Sequence, residues 1–78
     1  MKPYLAFVTW NDAQGSATLN YDKVRDHAPV VMKTVGWVVD RNEAGISICC
    51  EQWTENGLLN WRGHTFIPAG MVVKVTRA

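Results

Sequence analysis

His64-Thr-Phe-Ile-Pro-Ala-Gly-Met-Val-Val-Lys-Val-Thr76 reads as a strand, a one-turn break and a second strand. Pro68 has no N–H to give to a sheet ladder, and Gly70 tolerates unusual backbone angles. A sharp corner therefore falls between two runs of branched and aromatic residues. A small barrel closed at that corner is the expected architecture, with Met71, Val73 and Val75 completing its core from the last strand.

Working towards the N-terminus, Leu58 to Ile67 can form a fourth strand, irregular around Asn60 and Gly63, behind a turn at Glu55-Asn-Gly57. Ile46-Ser-Ile-Cys-Cys-Glu-Gln-Trp53 alternates and is joined by Asn42-Glu-Ala-Gly45 to a second strand over Lys33 to Arg41, the clearest hairpin in the chain. Gly36 marks a bend or a close backbone approach there. A first strand runs from about Tyr4 to Trp10 with both faces apolar, which predicts two-sided burial. Between Asn11 and Pro29 the pattern turns polar. Asn20 or Asp22 can cap one or two helical turns that Pro29 ends at Ala28, so a short helical insertion is expected between strands one and two.

The chain has 78 residues, enough for one domain (1–78) whose core is too small to give much stability alone. Four tryptophans, Trp10, Trp37, Trp53 and Trp61, exceed what a minimal barrel hides, so some are expected to face a ligand, a partner or another subunit. A formal net charge of +1 argues against a long-range field for nucleic acid and leaves room for a local basic stripe. Cys49 and Cys50 are adjacent and point to opposite strand faces, so they read as two reduced thiols. His27 and His64 stand far apart, and there is no Cys-x-x-Cys pair, so neither a metal site nor a cofactor is expected. Thr9, Asn11 and Asp12 interrupt the N-terminal apolar run too early for a signal peptide or membrane span, and a cytoplasmic location follows.

Five short strands, a bent second strand, a hairpin and a Pro-Gly corner describe the SH3-like and Sm-like barrels. Thr34-Val-Gly-Trp-Val-Val-Asp-Arg-Asn-Glu-Ala-Gly-Ile-Ser-Ile48 resembles the strand-two, strand-three half of an Sm motif, in which a glycine sits in the bent strand ahead of a short acidic turn. Phe66-Ile-Pro-Ala-Gly-Met-Val-Val-Lys-Val75 resembles the second Sm motif. With Val8-Thr-Trp-Asn-Asp-Ala13, the pattern is also similar to small phage proteins that have a Trp-x-Asp-Ala start and an Ile-Pro-x-Gly end. The resemblance covers about half the chain and implies an all-β, five-stranded SH3-like or Sm-like small barrel in a ring-like homo-oligomer. An Sm protein usually places Arg-Gly before the last strand to clamp RNA. This chain has Ala69-Gly70, so that ligand residue is missing.

Three functions compete. A binding module for single-stranded RNA or a nucleotide needs aromatic rings for bases and cations for phosphates. Trp53, Asn56, Trp61, Arg62 and His64 supply that set around the third turn and fourth strand, with Lys33 and Arg41 as backbone contacts and the segment Asn11 to His27 as a lid or an ordinary surface loop. A structural protein docking on itself or on a host protein would use the same tryptophans as interface anchors. An enzyme would rely on Asp12, Asp22, Asp26 and His27, yet no nucleophile, phosphate loop or metal motif accompanies them, so no catalysis is expected. The binding module, phage-type and non-catalytic, is the leading reading.

Overall fold

A computed structural model describes residues 2–12 and 29–78. They form five antiparallel strands, β1 (Tyr4–Asp12), β2 (Val30–Asn42), β3 (Gly45–Glu55), β4 (Leu58–Pro68) and β5 (Val72–Arg77), with a 3-10 turn at Ala69–Met71. The strands make one sheet in the order β4-β3-β2-β1-β5. The expected break at Pro68 to Gly70 is this turn, and the all-β class holds. The helical insertion expected between strands one and two, with Asn20, Asp22, Asp26 and His27, lies outside the described residues.

The closed barrel does not form. β4 and β5 are the two edges of the sheet and do not pair with each other. Four gaps of about 4.8 Å would hold these edges roughly 19 Å apart in a flat sheet. The 3-10 turn that joins them has three residues, and at about 2 Å of rise each it crosses less than half that span. The sheet is therefore strongly curled without being closed. The curl is fixed where the Ala69 N–H donates to the Ala44 carbonyl at 3.0 Å, tying the 3-10 turn to the β2–β3 connection.

β2 is shared between two pairings. Its residues from Val30 to Val38 lie opposite β1, and its residues from Trp37 to Asn42 lie opposite β3, with a register shift between Val38 and Asp40. Such a bulge bends the strand and raises its local twist, the device that lets one strand serve both halves of a curled sheet. Gly36 sits just before this bend, and a Cβ there would stand 2.5 Å from the Cys49 carbonyl oxygen, so the predicted close approach is present.

The concave side holds the core of Ala6, Val8, Val38, Ile46, Ile48 and Ile67, with Tyr4, Trp10, Met71, Val72 and Val75 packed against it. Burial of β1 is one-sided, against the expectation, because a single curled layer has only one concave face: Ala6 and Val8 are buried while Leu5 and Phe7 remain 40% and 52% exposed. In β5, Val72 takes the place predicted for Val73. The register shift opposite Thr9 and Trp10 changes the phase of the strand and leaves Val73 exposed. Among the described residues no helix is long and apolar enough to cross a membrane.

Candidate functional site: the outer half of the β3–β4 hairpin

Asn56 and Gly57 connect β3 to β4 with φ of 51° and 77°. Two successive positive φ values are the signature of a type I′ turn, whose twist matches that of the flanking strands and which favours Asn-Gly. This turn fixes the register, with Glu55 opposite Leu58, Trp53 opposite Asn60, Gln52 opposite Trp61, and Glu51 opposite Arg62. β4 continues unbroken to Pro68, with its irregularity confined to Gly63 at φ 72°.

Side chains two apart on a strand share a face, so Glu51 and Trp53 of β3 stand beside Asn60 and Arg62 of β4. Arg62 Nη2 donates to Glu51 Oε2 at 2.8 Å. The Arg62 guanidinium carbon also lies 5.2 Å from the centre of the Trp53 ring, within cation–π range. The hydrogen bond from Arg62, reinforced by its charge, holds the Glu51 carboxyl below its ordinary value, and the same bond pushes the Arg62 guanidinium up. Trp53 is 40% exposed, so this is an open platform with a ring, a cation and a counter-charge.

The other candidates separate. Trp61 tilts against Trp37 at 6.1 Å between ring centres and 58° between planes, and both are half-buried. Trp61 is thus a packing residue that links the hairpin to β2. His64 is exposed opposite Cys49, where the hairpin meets the core. Asn56 is in the turn. Lys33 is exposed on β2 opposite Thr9, in the part of that strand paired with β1 and beyond its ladder with β3. Arg41 lies at the far end of β2, beside the β2–β3 turn. The structure therefore joins Trp53 and Arg62 and leaves the remaining five outside their contact.

Two neighbours escaped the sequence reading. Glu51 was legible in principle, since a two-residue turn at Asn56-Gly57 places it opposite Arg62 by counting. Trp37 carried no local signal, because its contact with Trp61 depends on the bend of β2. Cys49 and Cys50 are free thiols, the first buried and the second exposed. Burial, then the neighbouring Cys50, raises the Cys49 thiol. Asp12 closes β1 opposite Val30. Among the described residues no three His, Cys, Asp or Glu side chains gather to hold a metal ion.

No known protein family matches the chain, and no curated protein or solved structure does either.

Proposed function

We propose that this chain is a non-catalytic binding module that holds single-stranded RNA or a nucleotide on the outer half of the β3–β4 hairpin. The observation that carries the reading is the exposed Trp53 ring with the Arg62 guanidinium 5.2 Å from its centre. Bases stack on an exposed indole whatever their identity, and a neighbouring guanidinium neutralises the phosphate that follows. Asn60, whose amide donates to the Leu58 carbonyl at 3.0 Å, is held beside the ring and presents its own side-chain oxygen. The site is built for stacking and charge. The strand order, the shared β2 and the 3-10 turn before β5 support kinship with Sm-like and SH3-like domains, here in an open curled form. A cytoplasmic phage protein of this kind fits the reading.

The test is fluorescence anisotropy with a labelled oligouridylate and with a labelled nucleotide. Trp53→Ala and Arg62→Ala are each expected to weaken binding by about ten-fold, the scale of one lost base stack or one lost phosphate contact. Trp61→Ala is expected to act through folding, because its ring packs on Trp37. Unchanged affinity in both Trp53→Ala and Arg62→Ala, with the fold intact, overturns the assignment.

A second reading, self-association or docking on a host protein, is favoured by one further observation. Leu5, Phe7 and Val35 form an exposed apolar group on the convex face, where Leu5 stands opposite Trp37 and Phe7 opposite Val35. Contiguous apolar surface of this kind is used for protein contacts. Phe7→Lys is expected to lower the oligomer mass seen by native mass spectrometry under this reading and to leave RNA affinity unchanged.

A further inference from the structure

Among the described residues β5 has one paired edge and one open edge. β1 takes the first through the pairs Ala6 with Arg77, Val8 with Val75 and Thr9 with Lys74, and β5 ends the strand order. The Ala78 N–H donates to the Leu5 carbonyl at 2.9 Å, on the β1 side. Backbone groups alternate in direction along a strand, so those of Arg77 and Val75 point the other way, to the open edge. An unpaired row of this kind is a template for another strand.

A cleft of about 350 Å³ runs along β5, lined by Val72, Val73, Lys74 and Val75 on one side and by Arg41 and Glu43 beside the β2–β3 turn on the other. Lys74 and Val75 lie in regular register with Thr9 and Val8 and point to opposite faces, so a cleft touched by both follows the edge of the strand and not one face. No β1 residue lines it, which places it on the open side.

The charges around the cleft choose its occupant. Arg41 and Lys74, from two different strands, face one carboxylate, Glu43, an excess of one positive charge. Among the described residues Glu51 pairs with the distant Arg62, and neither Arg41 nor Lys74 is in an ion pair. A second copy of this chain would offer its own open edges, β4 and β5. Those strands, Leu58–Pro68 and Val72–Arg77, contain Arg62, His64, Lys74 and Arg77 and no acidic residue, so neither is complementary. RNA would satisfy the charges but would leave the strand edge unused and set phosphates against Glu43 and four apolar side chains, Ile46, Val72, Val73 and Val75.

We propose that the open edge of β5 adds an extended acidic segment of a partner protein, with main-chain hydrogen bonds to β5 and a carboxylate seated between Arg41 and Lys74. Strand addition divides the work in this way, the backbone supplying affinity and alternate side chains supplying specificity. The site is separate from the Trp53–Arg62 platform and stands or falls without it.

The experiment is an amide NMR titration of the full chain with a short capped peptide alternating Glu and Val. Two controls accompany it, the same peptide with Lys for Glu and the same peptide N-methylated at alternate positions. The Glu peptide is expected to shift the amides of Val75 and Arg77 and to slow their exchange. The Lys and N-methylated peptides are expected to bind at least about ten-fold more weakly. Lys74→Glu combined with Arg41→Glu, both at surface positions, should reverse the preference, and Lys74→Glu alone should abolish it. Equal binding of Glu and Lys peptides, undiminished binding after N-methylation, or no shift with the Glu peptide overturns the proposal. So does protection of these amides by self-association before peptide is added, or their perturbation by oligouridylate.

Discussion

β3 and β4 are each one continuous strand, yet their two halves live in different surroundings. From Gly45 to Cys49, β3 is buried at four of its five positions, and Ile46 and Ile48 face Ile67 and Thr65 across the ladder. From Cys50 to Glu55 every residue is exposed, although the same ladder continues to the turn. Both halves keep one register, interrupted only at Cys50 and Gly63, and only the inner half adds apolar burial. The difference teaches that pairing alone sets register while burial sets stability. It also frees the outer half to carry side chains chosen for contact with something else.

The largest expected effect tests the inner half. Ile48→Ala and Ile67→Ala each remove a branched side chain from a core of six buried residues, and should each cost about 2–5 kcal/mol in urea or thermal denaturation. Against a total near 5–15 kcal/mol for an ordinary domain, that is a large share. The matching change in the outer half, Trp53→Ala, should leave the denaturation midpoint almost unmoved while lowering RNA affinity. If Trp53→Ala destabilises as much as Ile48→Ala, the division between the halves is wrong.

A smaller effect is expected at the turn. Gly57 has open space where a Cβ would stand, so Gly57→Ala meets no clash and adds only the strain of its φ of 77°. That strain is about 1 kcal/mol for a residue with a Cβ. The loss should appear as faster amide exchange in the outer hairpin, with the core amides of Ile46 and Ile48 unchanged. Equal acceleration in both halves would mean that they open as one unit.

How far the sequence could be read follows the same division. Alternation and turn residues are local, and they announce β3, the Asn56-Gly57 turn, the corner at Pro68 and the pairing that sets Arg62 beside Glu51. Curvature is not local. Whether the edges of the sheet close depends on the twist summed over five strands and on the bulge after Val38, which no motif declares. For that reason the sequence overstates closure, buries both faces of β1 and misplaces Val73. The candidate site divides likewise. Trp53 and Arg62 share a face by counting along the strands, and the same count puts Trp61 on the other face, whereas Lys33 and Arg41 are separated by their places along β2. The outward row of β5, with Lys74 and Arg41 lining one cleft, becomes visible only once the sheet is curled.

The smallest expected effect concerns Glu51, which sits in the outer half and competes with any phosphate for Arg62. Its carboxyl is held below its ordinary value because it accepts a hydrogen bond from Arg62, and the charge of Arg62 adds to this. A carboxylate depressed on folding contributes stability that is present above its unfolded value, about 4.3 for glutamate, and is lost as pH falls through the lower folded value. Both side chains are exposed, so solvent screens the pair and its stability term is slight. Binding should report it more clearly. As acid protonates Glu51, Arg62 loses its internal counter-charge and becomes available to phosphate, so oligouridylate affinity should rise modestly below that pH. Glu51→Gln should bind more tightly than the parent at neutral pH and lose the acid-dependent gain. Should the variant keep the full pH response, the titrating group lies elsewhere. The contact between Glu51 and Arg62 would then be a feature of the hairpin surface and not a gate on its platform.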